Sequence, residues 1–146
     1  MGLATRGIGT TDCIIDSGAS RHLAAQTELR EDYITVVSTS ITLGNRKEIT
    51  AVGQGNMTLH TDSGIISLLG VLHVPDIGSN LISVASIVDK GFQLEFTRKG
   101  SVISKGNTVR VIGKRQGNVY YLSGLQDVAI YGNIITERKH NKGNLV

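Results

Sequence analysis

Short apolar runs separated by polar turns dominate the chain, and a sustained period of 3.6 residues is confined to one segment. The first half predicts five strands, at residues 12–15, 34–37, 41–43, 48–60 and 65–74. Gly53 and Gly55 interrupt the fourth strand, which indicates a bulge or a bend. Residues 44–47 predict a hairpin turn, because glycine and asparagine readily take a positive φ.

The helical segment covers residues 80–90, where apolar residues recur on one face. Ser79 or Asn80 is the expected N-cap, and Gly91 lies at the C-cap position. Glycine-containing turns then separate the strands of a β-meander, at residues 93–97, 101–104, 108–112 and 118–122. From Gln126 the chain becomes polar and basic, so we expect a linker or a frayed tail.

The composition limits the classes of protein to which this chain can belong. A chain of 146 residues suits one compact domain, and its single cysteine, Cys13, excludes an intramolecular disulfide and favours a reducing compartment. The net charge of +3 is mild and aromatic residues are few, so a nucleic-acid partner is not expected. No apolar run approaches the ~18 residues that span a bilayer. Residues 1–10 do not resemble a signal peptide, and we expect them to be the cut edge of a longer protein.

The main candidate for chemistry is Asp16, which follows an apolar strand and precedes Ser17, Gly18 and Ala19. A carboxylate at the end of a buried strand needs hydrogen bonds, because its desolvation is otherwise costly. Ser17 and the backbone N–H groups around Gly18 are the expected donors. From these residues alone two interpretations stay open, a catalytic carboxylate or a capped turn at a strand end.

Four segments, in order, carry a family resemblance. The first runs from Asp16 to His22 and reads Asp-Ser-Gly-Ala-Ser-Arg-His. The others are Val-Gly-Gln-Gly at residues 52–55, Gly-Val-Leu-His-Val-Pro-Asp-Ile at 70–77 running into Asn-Leu-Ile-Ser-Val at 80–84, and Gly-Asn-Val-Tyr-Tyr-Leu at 117–122. Together they resemble the aspartic protease of copia-type retrotransposons, a retropepsin-like family, over residues 12–125.

The resemblance implies a mostly all-β fold, namely a retropepsin-like closed β-barrel of the acid-protease type with one short helix and a C-terminal β-meander extension. The helix is expected to pack beneath the active-site loop. The implied organisation is an N-terminal flank at residues 1–11, a protease core at 12–90, a β extension at 91–125 and a linker or tail at 126–146.

The resemblance also implies an aspartic endopeptidase in which Asp16 is catalytic and Ser17, Gly18 and Ala19 form the active-site loop. A chain with one such aspartate needs a homodimer, since a two-fold axis places Asp16 against its own copy. The paired carboxylates would share a proton while one activates a water and the other polarises the peptide carbonyl. Ser17 would link the two loops. No metal or cofactor is required. The implied substrate is the chain's own Gag-Pol polyprotein, in the cytoplasm or within virus-like particles, and no membrane partner is expected.

By the same resemblance, a flap at residues 42–52 is expected to close over the substrate. Its predicted tip consists of Gly44, Asn45, Arg46 and Lys47. The rival tip is the Gly-Gln-Gly segment at 53–55. The first tip is polar and charged, unlike the apolar, glycine-rich tips of familiar retroviral flaps.

Chemistry at other residues and two rival functions compete with this interpretation. The second Asp-Ser-Gly, at residues 62–64, lacks an apolar strand before it, so a plain hairpin turn is expected. His22 is expected to make a structural hydrogen bond, and Cys13 to be an inert core residue. The rival functions are a domesticated protease-like binding or assembly module without turnover, and a small nucleic-acid-binding β-barrel. The intact Asp-Ser-Gly-Ala favours the enzyme.

Overall fold

The computed structural model describes residues 12–25, 31–44, 46–126 and 146. Within these ranges one helix and eleven strands form. Their bounds are β1 Cys13–Asp16, β2 Leu23–Ala24, β3 Glu31–Thr42, β4 Glu48–Thr61, β5 Ile65–His73, β6 Asn80–Ser83, α1 Val84–Asp89, β7 Gln93–Phe96, β8 Gly100–Lys105, β9 Thr108–Gln116, β10 Val119–Leu122 and β11 Gly124–Gln126.

The strands join into one sheet. Hydrogen-bonded neighbours follow the order β11-β4-β5-β2-β6-β1-β10-β9-β8-β7, and β3 pairs with β4. Strand β1 lies inside this sheet, parallel to β6 on one side and antiparallel to β10 on the other. The prediction of a mostly β fold with one short helix is confirmed. The predicted closure is wrong, because the meander β7–β10 continues outward from β1 and does not return to β11 or β3 within the described residues.

The long hairpin β3–β4 covers the strands predicted at residues 34–37, 41–43 and 48–60. Burial alternates along β4 from Glu48 to Met57, as in a strand with one solvated face. The bulge expected near Gly55 is present as a shift in the β4–β5 register between Gly55 and Met57. The two strands predicted at 34–37 and 41–43 are one continuous strand, β3, with irregular pairing in its first half.

The segment predicted as a helix from residue 80 begins as a strand. Residues 80–83 form β6, which pairs in parallel with β1 so that Ser83 lies opposite Asp16. The helix starts only at Val84, and Ser83 is its N-cap, accepting from the Ser86 N–H at 3.0 Å. The position of the cap was therefore predicted three or four residues too early. Lys90 is the C-cap of the helix, and Gly91, with φ +89, follows it at the C′ position, one residue beyond the cap.

Two clusters of buried apolar side chains form the core. The larger cluster includes Ile15, Leu68, Ile103 and Leu122, so it joins the first ninety residues to the meander. Burial of each such side chain contributes about 1.5–3 kcal/mol. The smaller cluster, around Leu23, lies against the start of the β3–β4 turn. The meander is thus continuous with the rest of the fold in both pairing and core.

The structure differs from the predicted frayed tail at the residues of that segment that it describes. Strand β11, which the sequence did not predict, pairs with the end of β4. Val146 is buried, and its N–H donates to the Ser67 carbonyl oxygen at 2.6 Å, so it is not part of a frayed end. The remainder of that predicted tail, residues 127–145, and the predicted N-terminal flank, residues 1–11, lie outside the described residues.

Candidate active site

Asp16 stands where β1 ends and a tight turn begins. Its carboxylate Oδ1 accepts a hydrogen bond from the Gly18 N–H at 2.8 Å, and its carbonyl oxygen accepts from the Ala19 N–H at 3.4 Å. A Cβ at residue 18 would lie 3.3 Å from Oδ1, which explains the glycine in this turn. Asp16 is half-buried, whereas Ser17 is exposed. The turn therefore presents one oriented carboxylate at the C-terminal end of an inner strand of the sheet.

A shallow cleft, with about 20 Å³ of space inside it, opens beside this carboxylate. The active-site loop forms one wall, and the β3–β4 hairpin forms the other. The lining residues are Asp16, Gly18, Ala19, Ser20, Arg21, Leu23, Ile41, Thr42, Leu43 and Gly44. Four of the predicted site residues, Asp16, Gly18, Ala19 and Gly44, thus come together in one cleft.

The predicted flap is a real hairpin turn. The Leu43 N–H donates to the Lys47 carbonyl oxygen at 2.9 Å, and the Arg46 N–H donates to the Leu43 carbonyl oxygen at 2.8 Å. Arg46 and Lys47 are exposed, and Asn45 lies outside the described residues. Of the two residues expected to take a positive φ, Gly44 does not, and Asn45 lies outside the described residues; Arg46 has φ +67. The rival tip at residues 53–55 is wrong, because that segment lies inside β4 and pairs on both sides.

His22 fixes the end of the active-site loop. Its ring is buried, its Nδ1 accepts from the Ser83 N–H at 3.0 Å, and its Nε2 lies 2.8 Å from the Val146 carbonyl oxygen. A carbonyl can only accept, so Nε2 carries the proton and the ring is neutral. Burial lowers the pKa of His22, and the positive charge of Arg21 acts in the same direction. The predicted structural hydrogen bond of His22 is confirmed.

Ser83 connects the loop to the helix, a role that sequence reasoning missed. Its buried hydroxyl donates to the Ala19 carbonyl oxygen at 2.7 Å and accepts from the Ser86 N–H at 3.0 Å. The same oxygen therefore caps α1 and holds the turn that carries Asp16. The available signal was a serine directly before a helical pattern, which is typical of an N-cap.

Arg21 is a second residue that the sequence did not single out. Its Nη2 donates to the Gly70 carbonyl oxygen at 2.8 Å and to Gln54 Oε1 at 3.2 Å. Gly70 has φ +65, and its N–H donates to Asn56 Oδ1 at 3.1 Å. Arg21 thus joins three of the sequence segments that carry the family resemblance, and it fastens the loop to β4 and β5.

The second Asp-Ser-Gly forms the β4–β5 turn, as predicted. The Thr61 N–H donates to the Gly64 carbonyl oxygen at 2.9 Å, and Ser63 Oγ accepts from the Ile112 N–H at 2.8 Å. The opposite end of β5 pairs with β2, beside the cleft. Since β5 has nine residues, the Asp62 turn is about 25 Å along the strand from that end. Asp62 is therefore not placed to join Asp16 within one chain.

The lowered pKa of His22 predicts a loss of stability in acid. The folded chain needs the neutral ring, because Nδ1 must accept from Ser83, whereas the unfolded ring takes a proton at the ordinary pKa of 6.5. Below that pH the unfolded state binds more protons, so the free energy of unfolding falls as pH is lowered. Urea denaturation between about pH 7.5 and about pH 5 measures this slope. A His22→Asn variant, which cannot titrate there, should show a shallower slope, and equal slopes would contradict the assignment.

Within the described ranges no group of three or more His, Cys, Asp or Glu side chains could hold a metal ion. Burial raises the pKa of the Cys13 thiol to about 12, so it stays protonated in the core. No helix in the described part of the chain is long and apolar enough to cross a bilayer.

Comparison with known proteins identifies a family and a relative that this chain resembles. The family described as "Pol polyprotein, beta-barrel domain" matches residues 13–92, more than half of the chain. The chain is also 27% identical over 111 residues to the "Retrovirus-related Pol polyprotein from transposon TNT 1-94" of Nicotiana tabacum. That match covers 75% of the chain and 8% of the Nicotiana polyprotein, so the chain spans a small part of this relative. No solved structure gives a significant match.

Proposed function

Because the chain belongs to the Pol polyprotein beta-barrel domain family, we propose that it is an aspartic endopeptidase that acts as a homodimer on a retrotransposon Gag-Pol polyprotein. The observation that carries the proposal is the oriented carboxylate of Asp16 at the end of β1, in a cleft that the β3–β4 hairpin lines on the other side. Relationship to a retrotransposon Pol polyprotein supports the substrate class.

The chemistry follows from the surroundings of Asp16. The Gly18 N–H holds Oδ1 at 2.8 Å, and Oδ2 has no partner among the described residues, so it can face a water or a peptide. In a pair of such carboxylates that share a proton, the ionised one takes a proton from the attacking water. The protonated one polarises the peptide carbonyl and later helps to protonate the leaving amine. No covalent intermediate is needed.

The second carboxylate of the proposed pair comes from a second copy of the chain. Asp62, the other candidate, lies in a turn at the far end of β5. Ser17 and Gly18 are exposed beside Asp16, as a surface that meets its own copy across a two-fold axis requires. The cleft beside Asp16 has room for only about 20 Å³, far less than a pocket that encloses a ligand, so a peptide needs further walls, which a facing copy would supply.

Pepstatin, a peptide inhibitor with a hydroxyl in place of the attacked carbonyl, tests the proposal. We expect binding to saturate at about one inhibitor per two chains, because a symmetric dimer offers one site on its axis. Isothermal titration calorimetry measures this ratio, and analytical ultracentrifugation of the same samples measures the mass of the complex.

Each result decides a different part of the proposal. Saturation at one inhibitor per chain would contradict a shared site, and a complex with the mass of a monomer would do the same. Absence of binding at high inhibitor concentration would contradict an aspartic-protease site. Tight binding without cleavage of any polyprotein segment would favour a protease-like module without turnover.

A further inference from the structure

The small net charge of the chain conceals two oppositely charged parts. Residues 12–90 contain nine Asp and Glu against five Lys and Arg, a net charge of −4. Residues 91–126 contain six Lys and Arg against Glu95 alone, a net charge of +5 in 36 residues. The meander is therefore a strongly basic element attached to an acidic one, which the total of +3 does not reveal.

Four of these cations gather at one end of the meander, and we call them the basic cluster: Arg98, Lys99, Lys114 and Arg115. The β7–β8 and β9–β10 turns lie at the same end, and Gly100 pairs with Lys114. Arg115 Nη1 donates to the Arg98 carbonyl oxygen at 3.2 Å, across the two turns. All four side chains are exposed, and within the described part of the chain none forms an ion pair. Four like charges so close repel one another unless a polyanion neutralises them.

Two aromatic rings lie beside the basic cluster. Phe96 and Tyr120 are in edge-to-face contact, with 4.8 Å between ring centroids. The Tyr120 hydroxyl donates to the Thr97 carbonyl oxygen at 2.9 Å, and the Arg115 guanidinium lies 5.4 Å from the Tyr120 ring centroid. These contacts hold the pair rigidly, while 43% of Phe96 stays exposed. A fixed, exposed ring among cations is the arrangement that stacks on a nucleic-acid base.

We propose that the basic cluster binds single-stranded nucleic acid, with phosphates contacting Arg98, Lys99 and Arg115 and a base stacking on Phe96. A duplex offers its phosphates but keeps its bases stacked on one another, so the ring favours a single strand. An acidic peptide would neutralise the cations but would bring no flat base for the ring.

The position of the cluster relates it to the candidate active site without depending on it. Antiparallel pairing brings the start of β10 to the end of β1 that carries Asp16. The basic cluster lies at this same end of the neighbouring strands, in β9 and the β7–β8 turn, about 10–20 Å from β1. A bound strand would therefore lie near the cleft. Because none of the proposed contacts involves Asp16, an Asp16→Asn variant should bind nucleic acid as wild type does, whether or not the chain is a protease.

Fluorescence anisotropy with a labelled oligodeoxythymidine of about 15 nucleotides tests the proposal on the whole chain. An Arg98→Gln/Lys99→Gln variant should bind at least about tenfold more weakly at ~0.1 M salt and show a smaller salt slope, because each lost phosphate contact reduces counterion release. Phe96→Leu, which keeps an apolar side chain, should weaken binding about tenfold through loss of stacking. An Arg46→Gln/Lys47→Gln variant removes the same charge from the hairpin turn and should bind nearly as wild type.

Three outcomes would overturn the proposal. The first is an equal loss of affinity in the Arg46→Gln/Lys47→Gln variant, which would mean that net charge alone matters. The second is unchanged binding by Phe96→Leu together with a preference for duplex. The third is tighter binding of labelled oligoglutamate than of the oligonucleotide, which would assign the cluster to an acidic peptide.

Discussion

Replacing Asp16 with asparagine should lower kcat/KM for cleavage of a polyprotein segment by at least about 10³-fold, because an amide can neither accept a proton from water nor share one with its twin. The fold should be unaffected. The asparagine side-chain oxygen can still accept from the Gly18 N–H, which is the contact that the aspartate makes at 2.8 Å. Cleavage of a fluorescently labelled polyprotein segment measures the loss, and urea denaturation confirms that stability is retained.

Asp62→Asn is the matched control, since it makes the same chemical change in the same Asp-Ser-Gly context. Its carboxylate is exposed in the β4–β5 turn, and we expect nearly wild-type cleavage. An equal loss of activity in both variants would show that the turn at 62–64 takes part in the chemistry. Wild-type activity in Asp16→Asn would remove the catalytic role of Asp16 altogether.

Local patterns in the sequence were enough to locate the turn that carries Asp16. An apolar strand followed by Asp-Ser-Gly-Ala predicts a turned carboxylate held by a backbone N–H, and the bond from Gly18 has that form. The hairpin at 44–47 and the turn at 62–64 were predictable for the same reason. In each case the decisive residues are neighbours in the chain, so local conformational preferences determine the outcome.

Residues 80–83 show where local patterns fail. Asn-Leu-Ile-Ser followed by an apolar stretch suits a helix as well as a buried strand, and periodicity cannot distinguish the two over so few residues. Parallel pairing with β1 decides in favour of a strand, and that pairing joins residues 67 positions apart. The same pairing moves the N-cap to Ser83, whose hydroxyl then reaches the Ala19 carbonyl oxygen.

The contacts that support the active-site loop were also out of reach of the sequence. Arg21 meets Gly70 across 49 positions, and His22 meets Val146 across 124. A histidine six residues after an aspartate has no spacing that indicates its partners. Barrel closure was mispredicted for a related reason, because whether a meander adds to an edge or closes a sheet depends on pairing between distant strands.

His22→Ala should lower the free energy of unfolding by about 3 kcal/mol, the largest stability loss that we expect from a side chain of the active-site loop. The ring is 1% exposed, so truncation leaves a cavity as well as two buried groups without partners, the Ser83 N–H and the Val146 carbonyl oxygen. An unsatisfied buried group costs about 1–3 kcal/mol, and the lost packing adds to it. Urea denaturation at about pH 7.5, where His22 is neutral in both states, isolates this effect from titration.

Two variants that each keep one of the two hydrogen bonds of His22 distinguish its effect on cleavage activity from its effect on stability. The side-chain oxygen of asparagine stands where Nδ1 accepts, so His22→Asn should retain the Ser83 contact and lose less stability than His22→Ala. The side-chain amide of glutamine reaches the position of Nε2, so His22→Gln should retain the contact with Val146. If the Ser83 contact positions the loop, His22→Asn keeps more cleavage activity than His22→Gln at equal fractions folded. Equal activities would limit the role of His22 to stability.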